Sequence, residues 1–495
     1  MNPELPINAN GQAPLGPRRW LALVALSLAQ LMDVLDNTIV NIALPSAQQA
    51  LGFSINDRQW IITGYALTFG SLLLLGGRLS DLFGRKRLFI IGVSGFVIAS
   101  AVGGAANGFT ALLLARIGQG MFAALLAPAA LSLLAVIFAD NAVERAKAFG
   151  IFGAVSGIGG AVGLVLGGLL TETLSWRWCL YVNLIFGLLA LLGAFAFIPR
   201  DSRPHRQRLD VPGALISTLG LVAIVYGLGH AALLGWQDAR TLWPVMAGIV
   251  LLAVFIGIER HSNSPLLPLR VVLHRVRGAA YLTLVVVGMG MFAVFLFLTY
   301  YLQGLLHFSP VLTGVAFLPM LAAVVASAVI SGAIVFPRFG PRPLVPVGCV
   351  LAAIGMLLFT RIGLANSYTA VVLPALLVTG LGFGMIFSAV QNAATSEVAD
   401  HDAGIASAMV SASQQIGGAI GIAVFNSLAA TSVADYLTEH AGSVFGPQLM
   451  QKATLAGDLL VFWAAAGIFL FGALQAAALF PKGRIKFNGT PTLSF

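Results

Sequence analysis

The chain has 495 residues, 58% of them hydrophobic and only 9% charged, with a mean hydropathy of +0.93. Soluble domains carry about 25% charged residues, so this balance excludes an ordinary soluble protein and implies an all-α polytopic membrane protein. The net charge of +9 is then a topology signal, not a sign of nucleic-acid binding, because Lys and Arg collect in loops that stay cytoplasmic.

In chain order, the segment from Met1 to Pro17 is polar and the first apolar run is too long for a signal-peptide core, so no cleavable leader is expected. Apolar stretches of about 20 residues suffice to cross a hydrocarbon core of about 30 Å as helices. They predict fourteen spans, at 20–44, 58–79, 87–107, 110–138, 146–171, 176–198, 212–234, 242–259, 278–304, 311–336, 343–362, 368–394, 404–430 and 456–480. With the N-terminus in the cytoplasm, most of the 27 Lys and Arg fall on cytoplasmic segments. These include Arg18 and Arg19, the Arg85 to Arg87 run, Arg145 and Lys147, the Arg200 to Arg208 run, and the tail from Lys482 to Lys486. Both termini are therefore expected in the cytoplasm.

Charged loops divide the spans into six, two and six: an N-terminal bundle (1–199), a linker with two inserted spans (200–277), a C-terminal bundle (278–481) and a cytoplasmic tail (482–495). Repeated six-helix halves are a common plan for secondary transporters, with the substrate site near the midplane between them. Gly159, Gly163 and Gly167 recur every four residues along one face of the fifth span, which lets a neighbouring helix approach closely. Gly380 with Gly384 and Gly417 with Gly421 repeat the spacing in the second half. Cys179 and Cys349 show no metal or redox spacing and are expected to be packing residues.

The first span holds two carboxylates, Asp33 and Asp36, and no other deep segment is expected to hold one. A charge at mid-bilayer costs roughly 2.5–3.5 kcal/mol on insertion scales, so the pair marks a functional site. Gln30, Asp33, Asn37 and Asn41 follow steps of three, four and four and form one polar stripe, with Asp36 about 100° from its centre. Tyr65, Gln119, Gln303, Tyr300, Gln391 and Asn392 are further polar candidates for a cavity, and Phe292 stands in a soft Met- and Phe-rich stretch of the ninth span. The Glu397, Asp400, His401 and Asp402 cluster is expected to be a solvated loop that engages the basic seam.

After the second span comes Gly77-Arg78-Leu79-Ser80-Asp81-Leu82-Phe83-Gly84-Arg85-Lys86-Arg87, which resembles the G-x-L-x-D-x-x-G-R-[KR]-[KR] signature of the major facilitator superfamily. Its glycines permit a tight turn, while Asp81, Arg85 and Lys86 offer charges for a cytoplasmic gate, with Asp140 the candidate partner for Arg85. Leu35-Asp36-Asn37-Thr38-Ile39-Val40-Asn41-Ile42-Ala43-Leu44-Pro45 looks like the first-span motif of the fourteen-span drug:proton antiporters of the EmrB/QacA type. Trp176-Arg177-Trp178 with Asn183, and Arg116 with Gln119 and Gly120, resemble further motifs of that family, the second of them tied to proton transfer. Three positions depart from its pattern: Gly163 to Gly168 lacks a proline, Ile185 stands where the sixth span often has proline, and Gln414 where the thirteenth often has arginine. Without a proline the fifth span should be less kinked.

Counting helical rise from the outer ends puts Asp36 at roughly 13 Å and Arg116 at roughly 9 Å depth, so the two are expected to pair. In that scheme Arg116 holds Asp36 ionised in one state and proton uptake releases it. The resemblance favours Asp36 as proton carrier, and the polar stripe favours Asp33 as the residue facing the cavity and a cationic substrate. The resemblance implies export of an amphipathic or cationic small molecule in exchange for protons by a protein of the cytoplasmic membrane, with a monomer as default. Proton-coupled uptake of a small metabolite is the alternative on the same fold. No H-E-x-x-H, G-x-S-x-G or P-loop is present, so neither an enzyme nor an ATP-driven pump is expected, and no cofactor or metal is called for.

Overall fold

The computed structural model describes residues 18–138, 140, 142–199, 210–262, 265–364, 367–395, 403–440 and 446–481. The Arg200 to Arg208 run, the cluster from Glu397 to Asp402 and the Lys482 to Lys486 tail lie outside the described residues. In the first part, helices are α1 (Arg18–Leu51), α2 (Ile55–Phe83), α3 (Arg85–Gly104), α4 (Phe109–Ile137), α5 (Ala142–Thr173) and α6 (Trp178–Phe197). Then come α7 (Val211–Leu234), α8 (Ala239–His261) and a short α9 (Leu269–Val272). The last part holds α10 (Arg275–Tyr300), α11 (Pro310–Ile330), a short α12 (Phe336–Phe339), α13 (Pro341–Phe359), α14 (Leu373–Thr395), α15 (Ala403–Glu439) and α16 (Pro447–Leu479). Wider π-helical turns extend α10 over Tyr301–Leu305, join α11 to α12 over Ser331–Val335 and lead into α14 over Tyr368–Val372.

Leaving the two short helices aside, fourteen long helices among the described residues match the fourteen predicted spans. Thirteen helices among the described residues are long and apolar enough to cross a membrane. The remaining long helix, α5, opens with Glu144, Arg145 and Lys147 and is apolar over Gly159–Thr173 among the described residues. Polar side chains start several of them: Ser54 and Asp57 form a reciprocal capping box on α2, while Asp210, Asp238 and Ser309 accept backbone N–H groups at the starts of α7, α8 and α11.

The same packing scheme occurs twice. In the first part α1 lies against α5 and α6, α2 against α4, and α3 against α4 and α6; in the second α10 lies against α15 and α16, α11 against α14, and α13 against α14 and α16. These are two six-helix bundles of one design, joined through α2 on α15 and α5 on α11. Helices α7 and α8 pair with each other, and α7 covers the seam between α2 and α15 through Val225, Ala66, Leu67, Ala419 and Ala423. The outer face of α8 exposes Leu242, Trp243, Met246, Ile249 and Val250, as a lipid-facing helix would.

Gly159, Gly163 and Gly167 face α1 as their spacing predicts. A Cβ on Gly159 would lie 3.1 Å from Leu31, one on Gly163 would overlap the Thr38 hydroxyl, and one on Gly167 would come within 3.0 Å of the Ile39 backbone. Gly417 and Gly421 of α15 meet Val285 and Met289 of α10 in the same way, so glycine sets the closest helix approach at the equivalent place in each bundle. Gly84, between α2 and α3, has φ 99° and ψ 135°, a sparsely populated region that costs an L-residue roughly 1–3 kcal/mol. Gly84→Ala is expected to lower stability by about 1–3 kcal/mol, readable as a lower unfolding temperature of the purified protein.

Candidate functional site: a buried carboxylate network

The site is built on α1, where positions 33 and 36 are one turn apart but project about 60° from each other around the helix axis. Asp36 is fully buried where α1, α3, α4 and α6 meet. Arg116 of α4, also buried, donates through Nη1 to Oδ2 of Asp36 in an ion pair. Oδ1 accepts from Gln119 Nε2 at 2.8 Å and from Asn183 Nδ2 at 2.7 Å. Ser100 of α3 ties those two amides together, with its Oγ 2.8 Å from Gln119 and 3.3 Å from Asn183. Arg116 further donates to Gln119 Oε1 at 2.8 Å and to the Ile61 carbonyl of α2 at 3.3 Å. Both carboxylate oxygens thus have donors, which a buried charge requires.

Asp33 belongs to the same network at one remove. Tyr65 of α2 donates its hydroxyl to Oδ1 of Asp33 at 2.6 Å, and the Arg116 guanidinium carbon lies 4.5 Å from the centre of the Tyr65 ring. Asn37 donates to the Tyr65 oxygen and to the Asp33 carbonyl, each at 3.0 Å. One aromatic side chain therefore connects the two carboxylates, by its hydroxyl to one and by its ring face to the other's partner. Tyr65→Phe removes a buried charge-assisted hydrogen bond; a stability loss of about 1.5–3 kcal/mol is expected in thermal unfolding.

Several candidates fall elsewhere than the sequence suggested. Tyr65 and Gln119, expected on a cavity wall, are 1% and 0% exposed and sit inside the network. Asn41 is buried and donates to the Asn37 carbonyl at 3.0 Å. Phe292 is half-buried and packs on Gly418 of α15, so it fills the α10–α15 seam. Gln303 donates to the Ile42 carbonyl of α1 at 3.2 Å, tying the bundles together at the end opposite the termini. At that same end the Arg58 guanidinium lies 4.1 Å from the Tyr300 ring centre, Asn426 donates to Gln59 at 2.9 Å, and the Val311 N–H donates to Glu172 at 3.2 Å.

At the end that carries the termini, Gly77 approaches Pro128, and Lys86 donates to the Ile198 carbonyl at 2.5 Å. The Asp81 side chain lies outside what is described. Arg85 is half-buried at the start of α3. Asp140 is exposed in the turn after α4. Arg177 donates to the Gly104 and Ala106 carbonyls at 2.8 and 2.5 Å, closing the end of α3 and aligning α6 so that Asn183 meets Asp36.

The expectation that only the first span holds deep carboxylates is corrected by Asp458, and a further carboxylate is buried at a helix end. Glu259, at the end of α8, is buried and accepts the N–H groups of Leu266 and Leu267, each at 3.1 Å. Asp458 is buried in α16. The fourteenth helix begins at Pro447 and not at 456, so a carboxylate that looks terminal in the sequence stands about 16 Å along the helix. Ser100 was also missed, and a lone serine in an apolar helix gives no sequence signal.

Beyond the ion pair, toward the end opposite the termini, Arg116 borders a small cavity of about 20 Å³ lined by Val40, Leu44, Ile61, Leu112 and Trp176. That is room for about one water. A buried ion pair in a membrane bundle, held by amides on every side, is the kind of site at which a transporter binds and releases a proton.

Residues 26–422 match the family model of the Major Facilitator Superfamily. The chain belongs to that superfamily. Members similar to it include a puromycin resistance protein of Streptomyces alboniger, 48% identical over 94% of this chain and 92% of that protein. A cephamycin export protein of Amycolatopsis lactamdurans is 34% identical, covering 86% of this chain and 88% of its own. A lincomycin resistance protein of Streptomyces lincolnensis is 32% identical, covering 96% and 95%. Among solved structures, the POT family transporter PepTSo superposes with a TM-score of 0.67 at 14% identity, covering 94% of this chain and 97% of its own. An inward-facing, occupied bacterial Spinster homologue does so with 0.66 at 17%, covering 94% and 98%. Both share the superfamily fold. Membership makes this chain a membrane transporter and not an enzyme.

Proposed function

We propose that this protein exports an amphipathic or cationic small molecule across the cytoplasmic membrane in exchange for protons, by alternating access. The observation that carries the reading is the Arg116–Asp36 pair, a fully buried charge pair in the first bundle with every carboxylate oxygen hydrogen-bonded. Proton binding to Asp36 would cancel one charge of the pair and free Arg116, giving the bundle two packings that differ in protonation. The relatives named for resistance to puromycin and lincomycin and for cephamycin export support an outward direction and a small-molecule substrate.

In this scheme Asp36, Arg116, Gln119 and Asn183 handle the proton, and Asp33, Asn37, Asn41, Gln303 and Phe292 lie toward the substrate path between the bundles. Gly77, Asp81, Gly84, Arg85, Lys86 and Asp140 belong to the cytoplasmic gate. The positive charges of the Arg85 to Arg87 and Arg145 to Lys147 loops support a cytoplasmic location for both termini. The chain acts as a monomer of two bundles bounded near residues 199 and 278, with α7 and α8 as an inserted pair.

The test uses inverted membrane vesicles, with puromycin as probe. An acidic vesicle interior is expected to drive puromycin accumulation that a protonophore abolishes. Accumulation insensitive to the gradient refutes proton coupling, and accumulation driven only by an acidic exterior assigns uptake instead.

A further inference from the structure

Asp458 is the one deep carboxylate in the second bundle among the described residues, and the scheme above gives it no work. It lies in α16, 4% exposed, with its Oδ2 shut off from solvent and from every hydrogen-bond donor. That contrasts with Asp36, whose two oxygens accept three side-chain donors. An ionised carboxylate buried without a donor is an uncompensated charge costing several kcal/mol, whereas a carboxylic acid carries none.

Its surroundings tie it to the closure between the bundles. Tyr300 and Tyr301 lie at the junction of α10 and its π-helical extension, both of which pack on α16. Tyr301 commits its hydroxyl to the Gly363 carbonyl at 2.8 Å, and Tyr300 receives the Arg58 guanidinium of the first bundle on its ring at 4.1 Å. Among the described residues of the other elements packed on α16, α15 carries no titratable residue before the exposed Asp435, α13 carries Cys349 and, at the opposite end, Arg342, and the exposed Arg361 follows α13. On α16 itself, Lys452 is exposed nearer the helix start. The Arg58 cation on the Tyr300 ring belongs to the other bundle and leaves with it when the bundles part.

We propose that Asp458 is a second proton-binding site, in the C-terminal bundle, that takes a proton from the aqueous phase opposite the termini when the two bundles close there and gives it back when they separate. Closure buries the carboxyl and so is favoured by the proton; separation wets it and is favoured by ionisation. The proposal rests on the proton-coupled reading but is independent of Asp36, because the two carboxylates sit in different bundles.

The test reads closure directly. Gln49 and Gly304 are exposed on the two bundles at the closing end, and a side chain at Gly304 meets open space. Spin labels on the full-length Gln49→Cys, Gly304→Cys protein in nanodiscs report the separation as pH is varied, the native cysteines being buried. In an Asp36→Asn background the separation is expected to be short at low pH and to widen as pH rises. Adding Asp458→Asn is expected to leave it short and independent of pH; an unchanged titration in that variant overturns the proposal. Should Asp458→Asn fail to fold, Tyr300→Phe, which alters the group beside the carboxyl, is expected to shift the titration midpoint, and an unchanged midpoint likewise overturns it. Absence of gradient-driven puromycin accumulation by the protein with Asp36 in place, with the pH-dependent closure intact, would refute the export reading and leave Asp458 standing.

Discussion

Asp36→Asn is expected to abolish gradient-driven transport while leaving downhill exchange of the probe in place. The amide cannot cycle between charged and neutral forms, so binding and release of substrate are no longer tied to a proton. The same change leaves the Arg116 guanidinium buried without its counter-charge, against a structure in which it is 1% exposed. Removing one partner of a buried pair costs about 3–5 kcal/mol, so a large fall in unfolding temperature accompanies the coupling defect. The two effects separate in a double variant. Asp36→Asn with Arg116→Gln removes both charges and is expected to recover most of the stability but none of the coupling. Thermal unfolding and vesicle uptake on the same preparations decide it. Full gradient-driven accumulation by Asp36→Asn would refute the assignment.

Gly163→Leu is expected to have the largest effect on folding. Gly163 faces Thr38 of α1, where even a single Cβ would overlap the hydroxyl, and Leu35 stands 3.3 Å away on the same side. Overpacking usually costs 1–3 kcal/mol and occasionally more. Here the obstacle is the helix that carries both carboxylates, so α1 would be pushed off α5 and the Asp36 network pulled apart. Little folded protein is expected in the membrane fraction, measured as monodisperse protein after extraction. Gly160→Leu is the control on the same helix, because a Cβ there meets nothing within 4 Å; it is expected to express normally.

The helices were legible in the sequence because hydropathy over about 20 residues reports bilayer crossing almost directly. All of α1 to α8 and the long helices that follow were anticipated, and so was the meeting of Arg116 with Asp36, since rise per residue places both at comparable depth. Helical phase had set Asp33 and Asp36 apart without saying what each would meet. The structure supplies the reason: one side of α1 faces the interior of its own bundle, where Gln119, Asn183 and Ser100 surround Asp36, and the neighbouring side meets Tyr65 of α2. Tyr65 and Gln119 were placed on a cavity wall because a polar residue in a membrane helix can turn either to a cavity or to another side chain. Period alone does not choose between those. Asp458 escaped for a different reason. The first turns of α16, Pro447 to Lys452, are polar enough to fall outside an apolar window, so the predicted span starts at 456 and leaves Asp458 in its first turn.

Counting protons on substrate binding tests the central claim most directly. In weakly buffered detergent solution with a pH indicator, puromycin binding to the purified protein is expected to release about one proton that Asp36→Asn does not release, because substrate and proton compete for one bundle conformation. Equal proton release by the two proteins, at equal puromycin occupancy, would contradict the account.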